Sequence, residues 1–130
     1  MSEKHVVRSE AAPAPFQGAP YSQAIMAGGL VFVSGQLGLS PGETTLEQKG
    51  IEAQTRQVLE NLKAILEQAG SGLERLLKTT VFLADLADFA AMNSVYAEYV
   101  GSEPPARATV QVAALPSGAL LEIDAVALAG

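Results

Sequence analysis

The sequence predicts an α+β fold, a mixed β-sheet with two helices packed on one of its faces. Two stretches repeat apolar residues at the 3.6-residue spacing of a helix, and shorter apolar or alternating runs surround them. Glycines and prolines separate these segments, as expected for turns. A chain of 130 residues, 48% of them apolar, can bury one core. We therefore expect a single domain over residues 1–130, with the element order β-β-β-α-β-α-β-β.

The first third of the chain predicts three strands. Residues 5–9 are short and alternating, which is typical of an edge strand, and residues 10–20 contain three prolines and indicate a loop. Gly28 and Gly29 are a two-residue hairpin signal between two apolar runs. Because residues 30–33 are apolar at every position, we expect both faces of that strand to be buried.

The middle of the chain predicts the first helix. Thr44 or Thr45 can cap its start, and Glu47 or Gln48 would complete a capping box. Gly70 would end the helix. The apolar positions follow helical spacing and predict its buried stripe: Ile51, Thr55, Val58, Leu62, Ile65 or Leu66, and Ala69.

A strand and the second helix follow. Residues 76–83 are rich in Thr, Val and Phe, which favours a strand. Asp85 can cap the helix, with Asp88 in its first turn, and Gly101 ends it. We assign the apolar stripe of this helix to the core: Phe89, Met92, Tyr96, Tyr99 and Val100.

Two alternating runs flank a Pro-Ser-Gly turn near the end of the chain and predict the last two strands. Arg107 lies in the first run, in a region from residue 79 to residue 130 that holds six acidic residues and no other basic one. The planar fork of an arginine fits a carboxylate well, and a buried arginine is usually paired. One interpretation is therefore an internal salt bridge, and the other is a carboxylate-binding arginine with an acid–base carboxylate nearby. The candidate internal partners are Glu122, Asp124 and Asp85.

Alternation places Arg107, Thr109 and Gln111 on one face of the first run, and Glu122 and Asp124 on one face of the second, which suggests a common ligand-lined side. A site that joins Arg107 to Glu122 nevertheless meets a geometric difficulty. A tight turn between the two runs would place Glu122 opposite Gln111, about 13 Å along the strand from Arg107. The site therefore requires a bulge, a non-adjacent strand order, or groups from two subunits. Two helices also cover only one face of the sheet, so we expect a homo-oligomer that buries the other face and forms pockets at subunit boundaries.

Composition excludes several classes of function. The net charge of −6, without any basic run, disfavours nucleic-acid binding. The absence of cysteine and the presence of a single histidine, His5, leave no thiolate or multi-histidine metal site and disfavour a Ser-His triad. The first eight residues lack an apolar run, and nowhere do 18 apolar residues follow one another. We expect a soluble, cytoplasmic protein without a membrane partner.

Five segments, in order along the chain, resemble the Rid (YjgF) family of reactive-intermediate deaminases. The resemblance extends from about Ser9 to Ala127 and implies a chorismate-mutase-like homotrimer with three pockets between subunits. The segments are APYSQA at 19–24, VSGQ at 33–36, FAAMNSVY at 89–96, PAR at 105–107 and LPSGALLEI at 115–123.

The resemblance implies a reaction and roles for particular residues. Proteins of this type hydrolyse 2-imino acids, and enamine tautomers such as 2-aminoacrylate, to 2-keto acids and ammonia without a metal or organic cofactor. Arg107 would bind the substrate carboxylate, and Glu122 would activate the attacking water. The other implied site residues are Tyr21, as a third catalytic residue, and Ser34, Gly35, Asn93 and Thr109, as substrate-binding residues. Tyr21, Ser34 and Asn93 would serve equally well as turn, ladder or helix-packing residues.

Many relatives carry cysteine where this chain has Thr109, which weakens ideas based on a thiol but not those based on arginine and glutamate. One alternative is a module that senses 2-keto acids through Arg107 without turnover. A second is an endoribonuclease, which the acidic composition does not support. A third is a chorismate-mutase-like pericyclic enzyme, which would require more basic residues around the pocket.

Overall fold

The computed structural model describes residues 3–130, and its strands form one six-stranded sheet. The spatial order is β1-β2-β3-β6-β4-β5, in which β4 and β5 are parallel and the other pairs antiparallel. The predicted fold class and element order are confirmed. The strands are His5–Val7 (β1), Ala24–Ala27 (β2), Leu30–Gln36 (β3), Leu76–Leu83 (β4), Ala106–Gln111 (β5) and Leu121–Leu128 (β6), and the helices are Ile51–Gln68 (α1) and Phe89–Val100 (α2).

The helices pack on one face of this sheet, where the core lies. The α1 stripe predicted from periodicity is confirmed, because Val58, Leu62 and Ile65 are fully buried. They meet alternate residues of the strands, such as Val81 and Ile123, which are also fully buried. Each such side chain contributes about 1.5–3 kcal/mol through burial. No helix between residues 3 and 130 combines the length and apolar character that a membrane span requires.

Helix α1 begins later than predicted, so the capping box at Thr44 or Thr45 is wrong. The helix starts at Ile51, after Gly50, whose φ of 81° lies in the left-handed region. That conformation interrupts a helix, and glycine adopts it without strain. The hydroxyl of Thr45 bonds the side chain of Glu47 at 2.9 Å instead. The predicted end is confirmed: Gly70 has a φ of 77° and follows the last turn.

Helix α2 follows a short 3₁₀ turn, Leu86–Asp88, that Asp85 caps by accepting a hydrogen bond from the backbone N–H of Ala87 at 2.8 Å. The assignment of its whole apolar stripe to the core is wrong at one position. Met92 and Tyr96 are buried, but Phe89 is 42% exposed. Phe89 is the first residue of the helix.

The hairpin predicted at Gly28 and Gly29 joins β2 to β3, and both glycines have positive φ angles of 58° and 79°. Two successive residues with positive φ match a type I′ turn, whose twist suits a tight hairpin. Farther along β3 the pairing with β6 slips by one residue, since Val33 lies opposite Ala125 and Gln36 opposite Ile123. The extra residue forms a β-bulge at Ser34 and Gly35.

The sheet face opposite the helices is open in the single chain. Val31 and Val33 are buried on the helix side, whereas Phe32 between them is exposed. The expectation that both faces of β3 are buried is therefore not met within one chain. The apolar residues of the open face that are between 40 and 45% exposed are Val6, Phe32, Val110 and Leu128.

Candidate active site

The site residues implied by the sequence fall into two groups in the chain. Tyr21, Ser34, Gly35 and Glu122 line one cavity of about 360 Å³. The others lie on the edge strand β5 and helix α2, where Asn93 and Arg107 line a cleft of about 390 Å³ and Thr109 follows two residues after Arg107. Each group holds one charged residue that the sequence marked as catalytic.

The two groups lie on opposite faces of the sheet. Arg107 is in register with Thr79, whose side chain is fully buried under α2. Directly paired residues point to the same side, so Arg107 points to the helix face. Glu122 lies between Leu121 and Ile123, which are fully buried on the helix side, so it points to the open face.

The strand order also separates Arg107 from Glu122. Strand β4 lies between β5 and β6, so the two runs around the Pro-Ser-Gly turn are not a hairpin. Arg107 is opposite Thr79, and Glu122 is opposite Phe82, three residues farther along β4. Two strand spacings and three residues correspond to roughly 14 Å between the Cα atoms. Of the geometries that the sequence left open, the structure shows a non-adjacent strand order, which does not bring the two side chains together within one chain.

Glu122 owes its position to the bulge in β3. Gly35 lies directly against its carboxylate, and a Cβ atom built on Gly35 would overlap with that group. A side chain at position 35 would therefore displace the carboxylate. Burial raises the pKa of Glu122 above its ordinary range, and the nearby carboxylate of Asp124 raises it further. A carboxylate with a raised pKa is a suitable proton acceptor.

The hydroxyl groups beside Glu122 are fixed by the backbone. Ser34 donates its hydroxyl proton to the carbonyl oxygen of Ser22 at 2.6 Å, so its own oxygen can still accept a hydrogen bond. The hydroxyl of Tyr21 accepts a hydrogen bond from the backbone N–H of Phe16. Its own proton remains available to a ligand in the cavity.

Buried amides that sequence reasoning missed hold the walls of this cavity. Gln23 accepts from the backbone N–H of Ser9 at 2.7 Å and donates to the carbonyl of Pro13 at 2.7 Å. Asn61 of α1 donates to the carbonyls of Leu37 and Leu39 at 3.1 and 2.7 Å. A polar residue beside an apolar helical stripe was the available signal for Asn61. The walls themselves are largely apolar, including Phe16, Leu37, Leu39 and Pro116.

Arg107 has no carboxylate partner in the part of the chain that the structure describes. The ion pairs within 4.0 Å among residues 3–130 are Arg56–Glu98 and Lys63–Glu67. The interpretation of Arg107 as an internal salt bridge is therefore wrong for the single chain. Instead its guanidinium lies over aromatic rings of α2, 4.8 Å from the centre of Tyr96 and 5.6 Å from that of Phe89.

Two polar atoms on this side of the sheet also lack partners. Asn93 Oδ1 and Thr109 Oγ1 are buried and make no hydrogen bond to any group in residues 3–130. Buried polar atoms are normally satisfied, so each requires an explanation. A ligand held by Arg107 could supply N–H or O–H donors to them. Residues 3–130 contain no group of three or more His, Asp or Glu side chains that could hold a metal ion.

Comparison with known proteins identifies the family. The family model described as Endoribonuclease L-PSP matches residues 10–129. A RutC family protein of Pyrococcus horikoshii is 51% identical over 124 residues, covering 95% of this chain and 97% of that protein. A human 2-iminobutanoate/2-iminopropanoate deaminase is 44% identical over 119 residues, covering 92% of this chain and 87% of that protein.

A solved structure gives the same result. The crystal structure of RidA from an Antarctic Psychrobacter species matches with a TM-score of 0.90 at 44% identity, covering 95% of this chain and 98% of that one. The similarity thus includes the fold and nearly the full length of both chains. The chain belongs to the Endoribonuclease L-PSP family, which is the Rid (YjgF) family that its motifs predict.

Proposed function

We propose that this protein hydrolyses reactive 2-imino acids, and their enamine tautomers such as 2-aminoacrylate, to 2-keto acids and ammonia. The observation that carries the proposal is a pair of unmatched charges. Arg107 has no carboxylate within 4.0 Å, and Glu122 has no basic group within that distance, among residues 3–130. A 2-imino acid has a carboxylate that Arg107 can bind. It also has an electrophilic carbon that a water molecule activated by Glu122 can attack. The name of the human relative agrees with this activity.

The complete site belongs to an oligomer in this proposal. Arg107 and Glu122 lie on opposite faces of one sheet, so the cleft of one subunit must meet the cavity of its neighbour. The exposed apolar residues of the open face support such an assembly, because monomers rarely leave a broad apolar surface to water. We propose the homotrimer implied by the Rid resemblance, with three pockets between subunits.

The arginine end of the pocket binds and orients the substrate. The planar guanidinium of Arg107 donates two parallel hydrogen bonds to the substrate carboxylate. Asn93 Oδ1 and Thr109 Oγ1 are unsatisfied acceptors on the same side, and they receive the N–H groups of the substrate. Holding the substrate in this way fixes its C2 atom relative to the neighbouring subunit, which is the main requirement for an addition reaction.

The glutamate end of the pocket supplies the water. Glu122 accepts a proton as the water oxygen bonds to C2 and the C=N electron pair moves to nitrogen. Glu122 then returns that proton to the nitrogen, and the hydroxyl proton of the adduct follows it as the C=O bond forms, so the C–N bond breaks and ammonia leaves. Tyr21 and Ser34 orient the water and the nitrogen, and the backbone at Gly35 borders the carboxylate. The chemistry uses groups of the chain alone.

The direct test measures ammonia released when an enamine is generated in the presence of the protein by a separate lyase. Catalysis predicts faster ammonia release than in the lyase reaction alone. A sensing module would instead bind a 2-keto acid and leave the rate of ammonia release unchanged, which would refute the proposed activity.

A mixing experiment tests the site between subunits. Arg107→Ala and Glu122→Gln variants are each expected to be inactive. When they are unfolded and refolded together at equal amounts, about one pocket in four combines an intact arginine with an intact glutamate from its neighbour. Recovery of about a quarter of the wild-type activity is expected. No recovery, or a mass by light scattering other than about three times 13.5 kDa, would contradict the assembly.

The description of the family model names an endoribonuclease, but charge does not favour RNA as the substrate. The net charge is −6, and two of the eight basic residues, Arg56 and Lys63, are engaged in ion pairs with glutamates. RNA binding requires basic groups at phosphates. We also propose a cytoplasmic location, since a chain without cysteine depends on no oxidising compartment.

A further inference from the structure

The guanidinium of Arg107 is held by aromatic rings rather than by acids. It lies 4.8 Å from the ring centre of Tyr96 and 5.6 Å from that of Phe89. The two rings are seven residues apart, which corresponds to two turns on one face of α2. An aromatic face attracts a cation but does not occupy its in-plane N–H groups. All five donors of the arginine fork thus remain available to a ligand.

Tyr96 is itself fixed to the strand beside Arg107. It is buried, and its hydroxyl forms a 2.6 Å hydrogen bond with Thr79 Oγ1. Thr79 is the residue of β4 directly opposite Arg107. The ring and the arginine are therefore attached to the same point of the sheet, one through a hydrogen bond and the other through strand pairing. Phe89 has no comparable packing role, because it is 42% exposed.

We infer that Tyr96 and Phe89 are positioning residues that orient the plane of the Arg107 guanidinium toward the substrate carboxylate. The inference rests on the proposed function, because it assumes that Arg107 binds a carboxylate. It explains why a large aromatic side chain is left exposed at the first turn of α2. It also explains how an arginine without an acid partner keeps one orientation before the substrate arrives.

The test measures affinity for pyruvate by calorimetry in the wild-type protein and in Phe89→Leu. Loss of one ring from a partly exposed arginine should weaken binding by about threefold to tenfold. Tyr96→Phe keeps its ring and loses the bond to Thr79, so a smaller loss is expected. Because Phe89 is exposed, Phe89→Leu should fold even if Tyr96→Phe lowers stability.

A double-mutant cycle shows whether the ring acts through Arg107. In an Arg107→Lys background the cation has no plane to orient, so adding Phe89→Leu should change affinity less than twofold. The matched control is Tyr99→Leu. Tyr99 lies on α2, as Phe89 does, but its ring is 5.9 Å from Arg56, so its loss should leave pyruvate affinity unchanged.

Two results would overturn the inference. One is a folded Phe89→Leu variant with wild-type affinity for pyruvate. The other is an equal loss from Phe89→Leu in the Arg107→Lys background, which would show that the ring does not act through the arginine. A wild-type protein that binds no 2-keto acid would instead refute the proposed function, and the inference would fall with it.

Discussion

Two arginines of this chain lie over tyrosine rings of the same helix, and they differ in whether they have a carboxylate. Arg56 is 5.9 Å from the ring centre of Tyr99, and it donates to both carboxylate oxygens of Glu98 at 3.0 and 3.3 Å. Hydrogen bonding to Arg56 lowers the pKa of Glu98. Arg107 lies over Tyr96 at 4.8 Å and has no acid within 4.0 Å among residues 3–130. The first arginine is satisfied by its own chain, and the second is arranged to receive a carboxylate from outside.

Glu122 is the acidic counterpart of Arg107 in this comparison. Glu98 is exposed and paired, whereas Glu122 is partly buried and unpaired within the described residues. Burial raises the pKa of Glu122, and pairing lowers that of Glu98. A buried charge without a partner lowers stability, so its presence in a cavity favours a catalytic role over a structural one. The following substitutions compare the paired charges with the unpaired ones.

The largest effect is expected from Glu122→Gln, which keeps the size of the side chain but cannot accept a proton. The kcat for imine hydrolysis should fall by about 10²–10⁴-fold, while pyruvate binding at Arg107 changes little. Glu98→Gln is the matched control and should leave kcat unchanged.

Stability distinguishes this account from one in which Glu122 serves to neutralise Arg107. Folding raises the pKa of Glu122, so ionisation of this carboxyl group lowers the stability of the folded protein. The loss of stability begins as pH rises through the pKa of the unfolded chain and is complete above the pKa of the folded protein. Glu122→Gln should therefore match or exceed the wild-type melting temperature at pH 7. A lower melting temperature with turnover reduced only in proportion would support the neutralising role.

Arg107→Lys keeps the charge and removes the planar fork. Affinity for pyruvate should fall by about tenfold to a hundredfold, because a bidentate, charged contact is lost. Arg56→Lys makes the same change at the paired arginine and should leave the affinity as it is, with little change in melting temperature, since exposed ion pairs contribute little. Equal pyruvate affinities for all three proteins would show that Arg107 has a structural role.

The sequence predicted most of the fold because periodicity and glycine placement are local signals. The stripe of α1 and the hairpin at Gly28 and Gly29 depend on residues within a few positions of each other. The pairing of β5 with β4 rather than β6 depends on a strand that is distant in sequence, and the Pro-Ser-Gly turn suggested the opposite. The start of α1 was missed because the positive φ of Gly50 outweighed a plausible capping motif.

For the site, motif resemblance named the residues, and alternation along the strands suggested that the polar faces of the last two runs share one side. That suggestion is wrong, because Arg107 and Glu122 point to opposite faces, and this depends on how each strand is placed over the core. Phe89 was wrongly assigned to the core because an aromatic residue at helical spacing gives the same signal for packing and for contact with an arginine, whereas Tyr96 does both. To distinguish packing from contact with an arginine, one must know which residue of the neighbouring strand lies beside the ring.

A smaller effect is expected from Gly35→Ala, since the new Cβ atom would overlap with the carboxylate of Glu122 and push it from its place. Displacement of a catalytic group by a fraction of an ångström to one ångström should lower kcat by about tenfold, with pyruvate affinity nearly unchanged. Gly72→Ala is the matched control, because its Cβ atom would overlap with the carboxylate of Glu74, outside both halves of the site. Equal kcat values for the two variants would contradict the placement of Glu122 beside Gly35.

The smallest expected effect concerns Asp124, the acid two residues from Glu122 on the same face of β6. Its charge adds to burial in raising the pKa of Glu122. A base must be ionised to act, so activity should fall as pH drops through this raised pKa. Asp124→Asn removes the repulsion and should move that acid limb to lower pH by less than about one unit, because burial is the larger cause. Asp88→Asn removes the same charge from the 3₁₀ turn before α2 and should leave the limb in place. A pH–rate profile of kcat for the three proteins measures the shift, and a limb that moves to higher pH in Asp124→Asn would show that another group limits the rate.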